Sequence, residues 1–352
     1  MRKIFTSTAE LSGDEEEGPL DDSKVVYEIT SFGVDFLVDG LIRRLDDGDI
    51  YRPSFQRNFV WTVPQASRFI ESILLGLPIP GIFLYREEDT QKQLIIDGLQ
   101  RLTTIQSFSD GHLPNSDKRF RLKNVKERFE GRSIDDLEPQ DKRRFQDASI
   151  HATIIQQKSP KDDNSAVFHI FDRLNSGGTP LQAQEMRAAI YHGPFQDLLE
   201  KLNEVESWRS IFGPESKRGK DQELILRFLA LHYSWQKYNE PMKRFLNDFM
   251  DENRNSGNAK LRKFEAVFSD TCNKAVDYLG EKPFRPVRTL NVAVFDACMV
   301  ALSQTENDDR KAILKKYNQL LENESFKAAT SKSTASESNV TTRIQLAKEY
   351  LG

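Results

Sequence analysis

At 352 residues, with 38% apolar and 30% charged side chains, the chain is long enough for two or three domains and a true hydrophobic core. No run approaches the ~18 consecutive apolar residues that a membrane span needs, and the N-terminal segment lacks the apolar stretch and cleavage site of a secretory signal, so a cytoplasmic chain with no membrane partner is expected. The net charge of −4 hides an asymmetry: residues 10–23 hold seven acids and no base, leaving the rest at +3, so global charge neither indicates nor dismisses a nucleic-acid partner.

Residues 1–24 read as a disordered acidic leader. Phe36, Leu37, Leu41 and Leu45 then fall at helical spacing, with Gly48 closing the run. A stronger helix follows: Thr62 as a cap, Pro64 in the first turn, and a stripe of Ala66, Phe69, Ile70, Ile73 and Leu74 ended by Gly76 and Pro78. Ile82–Arg86 and Gln93–Ile96 read as strands, and Asp97-Gly98 leads straight into a helix from Leu99 to Phe108. Residues 115–147 are charged and expected to be helical, and Ile150–Gln156 is a further strand. Thr179-Pro180-Leu181-Gln182 resembles a capping box opening a helix that runs to about His192. From 194 to 323 the pattern is a string of helices, with Phe228, Leu229, Phe245 and Phe249 as core. The Ser/Thr-rich stretch 326–342 reads as a flexible linker before a last short amphipathic segment. Cys272 and Cys298, both within apolar helical patterns, are expected to be buried free thiols.

The standard phosphate-loop, dinucleotide, zinc-protease and serine-hydrolase motifs are missing. Chemistry concentrates instead in three polar clusters at element junctions. The first holds Gln56 and Arg57 within Arg52–Trp61. The second is Asp97-Gly98-Leu99-Gln100-Arg101-Leu102-Thr103-Thr104. The third is Arg173-Leu174-Asn175-Ser176-Gly177-Gly178-Thr179. In the second, a strand ends in Asp97, Gly98 allows a sharp turn, and the first N–H groups of the next helix lack intrahelical partners, so an anion fits there. Arg101, four residues on, is placed to pair with Asp97 or with a bound phosphate. The plainer reading has Asp97 capping the helix and Arg101 neutralising it. In the third cluster Gly177 and Gly178 free the backbone to approach a ligand, and the plainer reading is a turn with a good cap. Three arginine-bearing junctions point to one anionic pocket, in which Arg57, Asp97, Arg101 and Asn175 converge. The segment Lys118–Arg144 carries ten bases, among them Lys118, Arg119, Arg121 and Lys123, against six acids. It reads as a track for a nucleic-acid backbone or as a solvated face of mixed charge.

Taken in order, the clusters resemble the N-terminal domain of GmrSD-type restriction systems, a ParB/sulfiredoxin-like family. The signatures stand here as Pro53-Ser54-Phe55-Gln56-Arg57-Asn58-Phe59-Val60-Trp61, Ile96-Asp97-Gly98-Leu99-Gln100-Arg101-Leu102-Thr103-Thr104, and Arg173-Leu174-Asn175-Ser176-Gly177-Gly178-Thr179-Pro180-Leu181 with Glu185. The resemblance implies an α+β fold: a ParB-like nucleotide-binding domain over 25–195, an all-helical domain over 196–325, and a linker with a short terminal helix over 326–352. It also implies a component of a DNA restriction or anti-phage defence system that binds, and in related proteins hydrolyses, a nucleoside triphosphate. On that reading Arg57, Arg101 and Arg173 grip phosphates, and Gln56, Gly98, Thr103, Asn175, Ser176 and Gly177 add hydrogen bonds. Asp97 holds Mg2+ or orients water, with Gln100 and Arg101 beside it as catalytic candidates. Partners would be the nucleotide, DNA, a separate nuclease subunit and a second copy of the chain. Two departures stand out: Leu99 replaces the family's first glutamine, and no His-Asn-His motif follows, so DNA cleavage is not expected of this chain. The competing reading is a non-enzymatic nucleic-acid binding or sensing module that works with a separate nuclease.

Overall fold

The computed structural model describes residues 11–12, 28–52, 59–88, 90–114, 118–159, 167–168, 170, 182–216, 218–280 and 282–352. It divides into a sheet-bearing unit, Lys24–Leu181, and a helical unit, Gln182–Gly352 joined by the N-terminal 23 residues. The α+β class expected from the sequence is therefore observed, with an N-terminal sheet domain and a helical C-terminal region. The boundary between the units precedes the expected one at 195.

In the first unit the elements are β2 (Glu28–Leu37), α1 (Val38–Asp46), β3 (Ile50–Tyr51), α2 (Val63–Leu75), β4 (Ile82–Arg86), β5 (Gln93–Asp97), α3 (Leu99–Asp110), α4 (Pro139–Gln146) and β6 (Ser149–Ser159). The label β1 belongs to Leu11–Ser12 of the other unit. The strands form one sheet in the order β2-β6-β4-β5-β3, with β2/β6 and β4/β5 antiparallel and β6/β4 and β5/β3 parallel. One face packs Ile82, Leu84, Ile95, Ala152 and Ile154 against α1–α4. Local signals place α2 as expected. Thr62 and Gln65 close a capping box, and Ala66, Phe69, Ile70, Ile73 and Leu74 are buried on one stripe.

Two expectations for this unit need correction. The helix expected from Phe36 starts only at Val38, because Phe36 and Leu37 end a ten-residue strand. Val34 and Phe36 both turn to the core at a period of two, which overrides the i, i+4 spacing of Leu37 and Leu41. Of the charged stretch 115–147, the described residues are helical only at α4 and a single 3-10 turn, Ile134–Asp136. Before them the chain folds back on itself: the Leu122 amide donates to Arg132 O at 2.9 Å, and the Gly131 amide, from a left-handed residue, to Leu122 O at 2.8 Å. That path buries Phe120, Leu122 and Phe129, which a straight helix would distribute over different faces.

The second unit opens with α5 (Ala183–Ile190), α6 (Pro194–Leu202), α7 (Glu206–Phe212), α8 (Lys220–Ser234), α9 (Met242–Asn253) and α10 (Asn258–Leu279). It continues with β7 (Leu290–Asn291), α11 (Val292–Leu302), α12 (Arg310–Glu322), α13 (Glu324–Ala329) and α14 (Glu337–Leu351). The wholly buried α11 is the central helix. Phe228, Leu229 and Phe249 are core as expected, and Cys272 and Cys298 are buried free thiols whose pKa burial pushes up. Within the expected leader, Leu11–Ser12 pairs in parallel with Leu290–Asn291, and the rest lies outside the described residues. The linker expected at 326–342 is instead ordered: Phe326, Ala329 and Val340 are buried, and the polar residues act as caps and ties. The Asn323 side chain accepts from the Phe326 amide at 3.0 Å, and Thr330 Oγ1 donates to Phe326 O at 2.7 Å. The terminal helix α14 is locked by Arg343, which donates to Asp296 on α11; Arg227 on α8 holds the same carboxylate at 2.6 Å.

Candidate functional site

The best-defined polar junction is the turn from β5 into α3. Asp97 is the last strand residue and Gly98 adopts φ +99°, ψ +10° before the helix begins at Leu99. A Cβ at Gly98 would sit 2.4 Å from Ile82 Cγ2 and 3.3 Å from Arg101 Nε, so both conformation and space require glycine. Arg101 Nη2 donates to Asp97 Oδ2 at 2.6 Å. The Arg101 side chain is 16% exposed and that of Asp97 is 42% exposed, so the guanidinium lies below and the carboxylate faces solvent. Arg101 Nε is buried with no hydrogen-bond acceptor. Gly98 has no side chain to cap α3, and the Leu102 amide makes the first intrahelical bond, to Gly98 O at 2.9 Å. The amides of Leu99, Gln100 and Arg101 precede that bond, and they add partial positive charge to the Arg101 guanidinium.

Gln100 brings the second cluster to the first. Its Oε1 accepts from the Val60 amide at 3.1 Å and the Trp61 amide at 3.3 Å. Its carbonyl oxygen accepts from Thr104 Oγ1 at 2.7 Å. Gln100, expected as a catalytic candidate, is therefore placed to hold the loop that follows the Gln56-Arg57 motif. Replacing it with Ala should cost about 1 kcal/mol and speed hydrogen exchange at the Val60 and Trp61 amides, while Gln100→Glu, which keeps an acceptor, should leave both protected. Unchanged exchange in the alanine variant would refute this role. Thr103 is buried one turn into α3, and Leu99 packs against the core. Gln56, Arg57, Arg173, Asn175, Ser176 and Gly177 lie outside the described residues, so the geometry brings together Asp97, Gly98, Gln100 and Arg101 of the expected pocket.

The basic segment resolves into ion pairs. Arg119 meets Asp135 at 3.1 Å, Arg121 meets Asp136 at 2.8 Å, and Arg132 lies 3.6 Å from Glu138. Hydrogen bonds from the Ser133 amide and hydroxyl, with Arg121 alongside, hold the Asp136 carboxyl down at about 2. The Lys123 amide donates to Ser67 Oγ at 2.9 Å, and the Lys118 side chain is exposed. This part of the segment is a solvated face of mixed charge.

One pair was not legible in the sequence. Asp35 on β2 and His151 on β6 meet across the strands at 2.8 Å. His151 alternates with the core residues Ile150 and Ala152, so the pair lies on the sheet face away from the helices. Only a strand reading of SFGVDF, with its period of two, would have pointed to it.

Among the described residues no cluster of three or more His, Cys, Asp or Glu is placed to hold a metal ion, and no helix is long and apolar enough to cross a membrane. Among curated proteins no sequence matches this chain. Residues 38–192, which carry the Asp97–Arg101 junction and its loop, match the N-terminal domain of the GmrSD restriction endonuclease, and over that region the chain is similar to the family.

Proposed function

We propose that this chain is the nucleotide-binding component of a DNA restriction or defence system, with the β5–α3 junction receiving the phosphates. The observation that carries this reading is Arg101: a guanidinium held against a mandatory glycine at a helix start, with Nε buried and without an acceptor. A phosphate at the mouth of the junction would meet the part of the Arg101 guanidinium that is exposed, and the neighbouring helix amides favour the same charge. Arg57 and Arg173 are proposed to complete the grip.

The donor set also suits Mg2+, which takes one or two carboxylates together with phosphate oxygens and keeps several waters. Asp97 is the residue to hold it, through the oxygen not engaged by Arg101. Bound there, the ion would neutralise charge on the phosphates. Asp97 and Arg101 orient each other, so the carboxylate is held in place at the mouth of the site. The pairing of Arg119 and Arg121 with local acids gives the competing reading, a nucleic-acid track over Lys118–Lys123, less support.

Asp97→Asn keeps the shape and removes the charge. It should abolish nucleotide hydrolysis in a phosphate-release assay while the circular dichroism and melting temperature stay near those of the parent chain. Unchanged turnover would make Asp97 a structural residue.

A further inference from the structure

The basic stretch Lys118–Arg144 is not spent uniformly. Arg119, Arg121, Arg128 and Arg132 are neutralised by Asp135, Asp136, Asp141 and Glu138. Arg143 and Arg144, in the last turn of α4, are exposed, and their guanidiniums enter no ion pair or hydrogen bond among the described residues. Both line a cleft of about 700 Å³ between the C-terminal ends of α2 and α4. The opposite wall presents Leu77 and Ile79 over the buried Leu74, and Asp147 lies at the α4 end. Leu77 is 52% exposed, close in the chain to the buried Ile73 and Leu74 of the core.

Bases in the last turn complement the dipole of α4, which accounts for a positive charge at that point. It does not account for a leucine left half bare across the same cleft, or for two adjacent arginines without partners when every arginine upstream in the segment has one. Apolar wall and free arginines together are the composition of a protein interface, where arginine is enriched and a buried apolar centre is rimmed by polar groups. A sugar-phosphate backbone would satisfy the arginines and leave Leu77 and Ile79 in water.

We propose that this cleft is the docking site for an acidic amphipathic helix of a partner protein. Its apolar stripe covers Leu77 and Ile79, and carboxylates beside the stripe meet Arg143 and Arg144. A helix ~10 Å across is the element whose i, i+3, i+4 pattern presents both chemistries on one side. The proposal stands apart from the nucleotide reading, since no residue of the cleft belongs to the β5–α3 junction.

The experiment is selection on the full chain from a display library of random peptides of about 18 residues, long enough for several helical turns. Affinities of the selected peptides are then measured by fluorescence anisotropy. Expected is a consensus of leucine-like residues at i, i+3, i+4 spacing flanked by Asp or Glu. Its affinity should fall by about tenfold or more in the double variant Arg143→Glu, Arg144→Glu. The single variant Leu77→Glu, on the loop after α2, should weaken binding comparably through the apolar wall. Circular dichroism shows that each variant remains folded, and affinity for a DNA duplex is measured beside it. The proposal is overturned if selection yields no acidic amphipathic consensus, or if the selected peptides bind the parent chain and both variants equally. It is also overturned if the double variant loses DNA binding while keeping the peptides, which would assign the arginines to nucleic acid.

Discussion

Gly98→Val is expected to destabilise the sheet unit by about 2–5 kcal/mol and to abolish ligand binding at the β5–α3 junction. At φ +99° a β-branched residue is forced into a backbone region it avoids, at a cost of roughly 1–2 kcal/mol. The new Cβ would also stand 2.4 Å from Ile82 Cγ2, so β4 or α3 must shift, which adds the roughly 1–3 kcal/mol of an overpacked core. Ile82 is buried, and the other neighbour is Arg101, so relief in either direction disturbs the core or the guanidinium. Gly98→Ala carries the same overlap without the branched χ1 and should lie at the lower end. Thermal unfolding followed by far-ultraviolet circular dichroism measures both; a valine variant that melts with the parent chain would show that the turn is not constrained as described.

Asp296→Ala is expected to cost the helical unit about 3–5 kcal/mol or more, because one fully buried carboxylate serves two buried arginines. Arg227 donates to it through Nε at 3.2 Å and Nη2 at 2.6 Å, and Arg343 through Nη2 at 3.0 Å. Removing Asp296 takes away the buried carboxylate that both positive charges share. Arg343→Met should be far milder, about 1–2 kcal/mol, since Asp296 keeps Arg227 and the excess positive charge disappears. Burial already pushes the Arg343 pKa down from its usual value, a sign that the site tolerates the charge at a cost. Urea unfolding gives the magnitudes, and hydrogen exchange in α11 and α14 localises them. Equal effects of the two substitutions would contradict the shared-carboxylate account.

What could be read in advance divides by the range of the forces involved. The helix α2 was legible because its cap, its first-turn proline and its apolar stripe all lie within its own residues. The turn at Asp97-Gly98 was legible for the same reason, and so was the pairing of Arg101 with Asp97 one helical turn away. The strand β2 was not, since Phe36 and Leu37 satisfy both a helical and an alternating pattern, and the choice is made by pairing with β6, more than a hundred residues away. The 326–342 stretch looked like a linker because serine and threonine are common in linkers; whether they tie down helix ends depends on Phe326 and Val340 finding a core to enter. In the basic segment, composition alone does not separate Arg121, paired with Asp136, from Arg143, which has no ion pair among the described residues, because the difference arises only when the chain turns back at Gly131. The link between the first two clusters is of the same kind: Gln100 accepts from Val60 and Trp61 across forty residues of sequence, so the motifs could be recognised but not joined.

The central claim is that the β5–α3 junction binds nucleotide phosphates through Arg101. Its most direct test is isothermal titration of the full chain with each of the four nucleoside triphosphates and Mg2+, repeated with Arg101→Ala. The account predicts saturable binding of at least one triphosphate by the parent chain and its loss, by about a hundredfold or more, in the variant. Binding of equal strength in both, or no binding of any of the four by the parent chain, would contradict it.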